Sequence, residues 1–429
     1  MQTKERLGKQ EILQIFKNGC KTSQNIGLEY ERLPISLKTF KASDYEDICG
    51  FLRDFAREEN WDYITDNYNI IGLKQEHDTI TLEPGCQVEL SIKPEKTIFE
   101  LKEKIDKLDR FMKPSLEKFG ITLLNYGVSP LSTNKNINLI PKKRYNIMAK
   151  YLWGILSDVM MRETAGVQCC IDFESEEDAM RKFKTANKLT PFITAMFANS
   201  PIRGGVDTGY KSFRALSWHN TDNDRCGFTG MIENINSFED YLDYVLETPM
   251  IFYNRDNEAL PLNGKINFNE FMHDYDAEIE DFELHANLYF PEVRLRNFIE
   301  IRNHDCVGKD MQYSIPAIYK GILYNNSAME EIEKLFKDYD YNDFSELRYN
   351  VPKTALNTQI GKYLVRDIAK EILYIAEKSL ISIETGEEKF LEPIKEYTLQ
   401  GICPADVIIK NWNGIWGKNF KKLVKYVTQ

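Results

Sequence analysis

Four segments of the chain alternate apolar and polar residues and gather carboxylates on the polar side. In IGLEYERL, residues 26 to 33, a β-strand would put Ile26, Leu28 and Tyr30 on one face and Glu29 and Glu31 on the other. In TLEPGCQVELSI, residues 81 to 92, Val88, Leu90 and Ile92 oppose Gln87, Glu89 and Ser91, while Glu83 precedes a Pro-Gly turn. In PEVRLR, residues 291 to 296, Val293 and Leu295 oppose Glu292, Arg294 and Arg296, and in VQCCIDF, residues 167 to 173, Gln168 and Asp172 fall together. One such face is normally solvated. Four of them in one sheet predict a concave acidic chamber whose like charges repel strongly without a cation. Magnesium suits such a chamber, because it takes carboxylate oxygens, keeps waters and links them to nucleotide phosphates. The interspersed arginines supply forked donors for a carboxylate or phosphate.

The elements that must position these residues follow from local signals. Residues 3 to 19 read as a helix capped by Thr3, and Ser43 to Glu46 has the Ser-x-x-Glu form of a capping box opening a helix to about Asn60. Short strands are expected between Trp61 and Ile92, and helical periodicity at 97–118 and 142–161. Ser175 to Asp178 caps a helix running toward Pro191 and Phe197, and Asp240 to Leu246 reads as another. The acidic stretch Phe268 to Phe290 reads as a solvated face that includes Glu283, and runs into an alternating segment ending at Ile301. Residues 326–348, 355–383 and 390–428 read mostly as helix and connectors. No repeat or long linker suggests a domain cut, so residues 1–429 are taken as a single catalytic domain.

Composition narrows the function classes. A chain of 429 residues with 42% hydrophobic residues buries a large core, and a formal net charge of −11 disfavours phosphate backbones and anionic membranes as partners. The start MQTKERLGKQ lacks the apolar core of a signal peptide, and the uncharged run Leu189 to Ile202 is too short for a spanning helix. Eight scattered cysteines without a C-x-x-C pair, and five dispersed histidines, predict reduced thiols, no zinc site and a cytoplasmic location. The run GGVDTGYKS at 204 to 212 misses the P-loop pattern by one inserted tyrosine, and reads as a flexible loop beside the site. Adjacent Cys169 and Cys170 point to opposite faces, one to the core and one toward the chamber.

Taken together, IGLEYERL, TLEPGCQVELS, VQCCIDF, TANKLTPFITAMFANSP, SFRALSWHNTDNDR and FPEVRLRNFIEIR, continued by IPAIYKGILYN and NGIWG, resemble the plant-type glutamate–cysteine ligases shared by plants and some bacteria. The resemblance implies an α+β, glutamine-synthetase-like fold: a curved, mainly antiparallel sheet forming a funnel with helices outside. It implies ATP-dependent phosphorylation of the glutamate γ-carboxylate, then displacement of phosphate by the amine of L-cysteine, giving γ-glutamylcysteine, ADP and phosphate. This is the first step of glutathione biosynthesis. On that basis Glu29, Glu31, Glu83, Glu89 and Glu292 are metal ligands or orient them, with magnesium, or manganese in its place, as the ion and ATP as co-substrate. Arg294 and Arg214 are the catalytic arginines, and Gln168, Thr164, Trp218, Arg225 and Arg296 line the substrate and nucleotide pocket. Partners are L-glutamate, L-cysteine and ATP, with no nucleic acid or membrane, and the chain is a monomer or weak homodimer. The redox switch of plant members is not expected, since Tyr313 stands near one position it would require.

Other functions compete. The same machinery could join glutamate to a different amine, and the carboxylate core does not separate the two. A two-metal hydrolase would activate water in the same chamber, but the acidic strands lack histidine. A catalytically dead binding protein would not retain every expected carboxylate.

Overall fold

Alternation of the kind in IGLEYERL builds the centre of the molecule. The computed structural model describes residues 7–256 and 258–428. Nine strands form the main sheet: β1 (Ile26–Ser36), β2 (Asp62–Asp66), β3 (Asn69–Gln75), β4 (Asp78–Leu82), β5 (Val88–Glu95), β6 (Ile121–Leu124), β7 (Gly166–Ile171), β8 (Val293–Leu295) and β9 (Ile299–Asp305). Their order is β8-β9-β7-β1-β5-β4-β3-β2, with β6 paired to the far end of β1, and every pairing is antiparallel. The α+β class and the open, mainly antiparallel sheet are as expected.

Cross-strand partners share a face of a sheet, so the register decides which side chains meet. Leu28 pairs with Ile92 and Cys169, and Cys169 with Ile301, which makes one face apolar. Helices Ile98–Lys118, Glu176–Met196 and Met311–Leu323 pack on the strands, and the buried apolar side chains of sheet and helices form one continuous cluster. The opposite face carries a polar row. Arg294 pairs with Glu300, Glu29 with Gln168 and Ser91, Glu31 with Glu89, and Glu89 with Thr81.

Several local expectations shift. The first helix is Lys9–Lys17, capped at Gly8, and Thr3 lies outside the described residues. The helix after β1 is capped one residue later than expected, by Asp44, whose carboxylate accepts the Asp47 N–H at 3.0 Å. Ser175 caps as expected, accepting an N–H three residues on, and Thr97 does the same for the helix expected at 97–118. Helix Met311–Leu323 is absent from the sequence reading. All its residues are buried, so it has no polar face and no amphipathic period. Among the described residues no helix is long and apolar enough to cross a membrane.

A buried ion pair ties this hidden helix to its neighbour. The carboxylate of Glu387, fully buried, accepts from Lys320 Nζ at 2.7 Å and from the Ile98 N–H at 2.6 Å, joining Met311–Leu323 to the first turn of Ile98–Lys118. Removing one partner of such a pair leaves a buried charge uncompensated. Glu387→Ala should lower the unfolding free energy by about 3–5 kcal/mol in urea titration. Adding Lys320→Met should recover part of that loss.

Candidate active site

The polar face opens into a cavity of about 300 Å³. Five glutamates line it, Glu29 and Glu31 from β1, Glu83 and Glu89 from either end of the Pro84-Gly85 turn and β5, and Glu300 from β9. Four arginines face them: Arg294 on β8, Arg296 just beyond it, Arg302 on β9, and Arg144 in helix Lys143–Tyr151. Gln168, Gln87, Thr164, Tyr145, Trp218 and the methionines 148, 160 and 161 complete the wall. Gln168 and Cys170 of β7 separate the arginine-bearing strands from the carboxylate-bearing ones.

The two ends differ electrostatically. Burial would raise the Glu300 carboxyl, but Arg294, donating at 2.7 and 3.1 Å, and Arg302, at 2.6 Å, outweigh it and hold the acid far below its usual range. Glu300 is therefore anionic and fixed, and its arginines are charged and oriented. At the other end the carboxyls resist ionisation. Burial, with repulsion from Glu300, pushes Glu29 up to about 7 against the pull of Arg302, Arg294 and Arg296. Burial raises Glu31 too, although Arg214 opposes the shift and the carboxylate accepts the Gly166 N–H and Gln168 Nε2, each at 2.6 Å. Glu89 is raised furthest, by burial and then by Glu29, Glu83 and Glu31, with one hydrogen bond from Thr81 at 2.9 Å.

Such a cluster of hard oxygen donors, short of positive charge, matches what a divalent cation requires. Among the described residues no three acidic, histidine or cysteine side chains converge into a closed coordination set. The donors thus fit an ion that takes few protein ligands and completes its shell with water and phosphate oxygens, as magnesium does.

Not all the expected residues meet here. Glu29, Glu31, Glu83, Glu89, Gln168, Thr164, Trp218, Arg294 and Arg296 line the cavity. Glu292 does not. The chain bends between Pro291 and Val293, and Glu292 turns into a neighbouring recess, where it pairs with Arg348 and accepts from Thr190 Oγ1 at 2.6 Å. Burial would raise its pKa, but Arg348, His219 and the Thr190 hydroxyl together outweigh burial and hold the carboxyl at about 2. With a guanidinium already bound, Glu292 stands apart from the main cluster. Arg225 is also withdrawn: it bridges Asp222 at 2.6 Å and the carbonyls of Leu288 and Pro249, leaving no fork for a substrate. Arg214 lines the recess, not the main cavity, and donates to the Arg302 carbonyl at 3.0 Å. It lies so close to β7 that a Cβ at Gly166 would collide with its guanidinium.

The glycine run 204–212 forms a small hairpin, Ile202–Arg203 with Val206–Asp207, outside the cavity lining, and Lys211 is engaged by Asp406 at 2.7 Å. Cys169 is core, and Cys170 lies on the polar side, against Gly27. Asp172 is held by Ser23 at 2.6 Å and the Asn25 N–H at 2.9 Å, which closes the entry to β1. Glu300 and Arg302 are the residues the sequence reading passed over. FIEIR alternates as clearly as IGLEYERL, with Ile299 and Ile301 opposed to Glu300 and Arg302, so the signal was present.

The cluster sets an expectation for pH. Glu29 binds its proton more tightly folded, near 7, than in an exposed chain, near the ordinary 4.5. Its contribution is therefore fully present below the unfolded value and is lost as pH rises through the folded one. In chelator and without nucleotide, Glu29→Gln should be more stable than wild type, with the gap in melting temperature widening from about pH 5 to about pH 8. A gap that does not change with pH would contradict the charge cluster.

Known proteins match this chain along nearly its whole length. The sequence pattern of glutamate–cysteine ligase family 2 matches residues 25–425. A chloroplastic glutamate–cysteine ligase of Nicotiana tabacum is 33% identical over 428 residues, covering 97% of this chain and 82% of that protein. The chloroplastic enzyme of Medicago truncatula is 34% identical over 424 residues, covering 96% and 83%. A solved glutamate–cysteine ligase of Francisella tularensis, in complex with AMP, superposes with a TM-score of 0.61 at 15% identity, covering 96% of this chain and 89% of that one. The matched plant enzymes are named chloroplastic, which overturns the cytoplasmic location expected from the sequence.

Proposed function

The chain belongs to glutamate–cysteine ligase family 2, and from that premise we propose that it makes γ-glutamylcysteine at the expense of ATP, through a γ-glutamyl phosphate, within one catalytic domain. The observation that carries this reading is the bipolar cavity, acidic along β1 and β5 and guanidinium-lined along β8 and β9. ATP, glutamate and the acyl phosphate are all anions. Such ligands need a cation between themselves and the carboxylates, and donors on their far side.

In this reading Glu29, Glu31, Glu83 and Glu89 are the carboxylates from which magnesium would take its few protein ligands. When bound, magnesium offsets charge on the nucleotide phosphates and on the transferring phosphoryl group. Arg302, pre-aligned by Glu300, offers its remaining N–H groups to the phosphoryl and carboxylate oxygens as negative charge develops, while Arg294, held by Glu300 and by the Asn287 and Tyr289 carbonyls, adds its positive charge. The γ-carboxylate oxygen of glutamate attacks the terminal phosphorus of ATP and the bond to ADP breaks. The amine of cysteine then attacks the acyl carbon, and phosphate and a proton leave. Gln168 and Thr164 shape the wall, and Trp218 with the three methionines limits water around the acyl phosphate, whose hydrolysis would waste the nucleotide.

Pure protein with ATP, magnesium, glutamate and cysteine should release ADP and phosphate in step with product. Stoichiometric AMP and pyrophosphate would indicate an adenylate route and sink the acyl-phosphate mechanism. Glu29→Gln and Arg302→Lys should each fold and lose at least about a hundredfold in kcat, comparable to removing one preorganised electrostatic contact. Glu283→Gln, on the exposed side of helix Ile279–Asn287, should keep near-normal turnover.

A further inference from the structure

The total charge of the chain hides one face of opposite sign. From Val407 to the last residue there are five lysines, Lys410, Lys418, Lys421, Lys422 and Lys425, and no aspartate, glutamate or arginine, in a protein of formal net charge −11. The segment folds as helix Pro404–Asn413, a loop, and helix Phe420–Val427. Leu423, Val424 and Val427 join the core, so the second helix rests on the body with Lys421, Lys422 and Lys425 turned outward. All five lysines are exposed, and among the described residues none forms an ion pair.

Between the two helices an apolar tip projects among these charges. Ile415 is 77% exposed, and Trp416 beside it is half-buried, its ring 5.2 Å from that of Tyr426. Gly417 takes a φ of +56°, and a Cβ there would touch nothing, so the turn stands clear of the body. Lys422 Nζ donates to the Ile415 carbonyl at 2.8 Å, which puts a cation at the base of the tip, and Lys309 stands 3.3 Å over the Tyr426 ring. The hairpin of Ile202–Arg203 with Val206–Asp207 flanks the segment, held by Asn413 Nδ2 donating to Asp207 at 3.2 Å, and it adds Val206, 61% exposed. Of the carboxylates that adjoin this face, Asp406 is paired with Lys211 and Asp310 with Lys102, each at 2.7 Å. Asp207 is the one without a cation among the described residues.

Total charge argued against an anionic partner, but charge acts locally. At physiological salt it is screened within about 8 Å, so a surface meeting this face feels its lysines and not the acids across the molecule. Exposed lysines alone are ordinary solvated surface, whereas lysines set around a projecting isoleucine and a tryptophan combine the two elements of an interfacial membrane contact. We propose that this C-terminal face docks the protein reversibly on an anionic lipid surface, with the five lysines on the headgroups and Ile415 entering the acyl boundary. Lysine is a compact, hydrated point charge that suits a diffuse layer of lipid phosphates. The planar fork suited to nucleic acid is missing, because the segment has no arginine. None of these residues lines the main cavity or the recess beside it, so docking leaves the route to the carboxylates open.

The test is sedimentation of the full chain with vesicles of phosphatidylcholine alone, or of phosphatidylcholine with about one third phosphatidylglycerol, whose negative surface potential attracts lysines. Binding is expected to the anionic vesicles only, and should be lost in about 1 M NaCl, where charge is screened within about 3 Å. Lys421→Gln combined with Lys425→Gln should weaken partitioning at least about tenfold, and Ile415→Ser about tenfold, both with the melting temperature and turnover of wild type. Tryptophan emission should shift to the blue on the anionic vesicles, and Trp416→Phe should remove that shift. Equal binding to both kinds of vesicle, binding to neither, or wild-type partitioning in both the lysine and the isoleucine variants overturns the inference. Binding of single-stranded DNA or polyglutamate through the same lysines, with none to anionic vesicles, overturns the choice of lipid.

Discussion

Holding five carboxylates around one buried cavity is the constraint on which the rest of the structure depends. Like charges directly opposite each other in a sheet are destabilising, and Glu31 and Glu89 are direct cross-strand partners. The fold tolerates this because the apolar faces of the same strands are sealed into one continuous cluster beneath three long helices. Each Glu on the polar face is bonded in sequence to residues that the core holds, Leu28 and Tyr30 beside Glu29, Val88 and Leu90 beside Glu89. A strand cannot turn its carboxylates away without turning its core residues into water, since a slip of one residue flips both faces. Repulsion is thereby converted from a reason to rearrange into raised proton affinity, which a cation can exploit.

The order of strands makes the cavity bipolar. β8 and β9 carry Arg294, Glu300 and Arg302; β1 and β5 carry Glu29, Glu31 and Glu89; β7 between them contributes only the neutral Gln168 and Cys170. Were the acidic and basic strands adjacent, their side chains would pair and leave nothing for a ligand. The neutral strand keeps them apart, so only Glu300 is fully taken up by arginine. Gln168 also donates to Glu31 and retains an unpartnered Oε1, which makes it a polar spacer with capacity to spare.

Much of this was legible in the sequence wherever a strand has one wet and one dry face. IGLEYERL, QVELSI and VQCCI alternate, and their register follows from the alternation, so Glu29, Glu31, Glu89 and Gln168 were identifiable. Helix Met311–Leu323 was not, because a helix buried on every side has no period to read. Arg225 was misplaced for another reason: the pattern names a residue type, but whether its donors are spent on Asp222 and two backbone carbonyls depends on residues brought together only by folding. The small recess behind Trp218 was invisible, since its wall comes from segments more than a hundred residues apart, such as Pro191 and Val351.

Glu292 and Glu300 show how little separates a site residue from a structural one. Both stand two positions before an arginine, in PEVR and FIEIR. For β9 alternation holds from Ile299 to Ile301, so Glu300 and Arg302 emerge together on the polar face. In PEVR the residue before Glu292 is a proline, and the chain bends there before β8 begins, so Glu292 leaves the row while Arg294 stays in it. The two acids then meet opposite fates through the same interaction. Each is held ionised by arginine, but Glu300 aims Arg294 and Arg302 into the cavity, whereas Glu292 binds Arg348 beside it. A single bend thus divides one repeated motif between orienting the cavity-facing guanidiniums and shoring up the wall behind them.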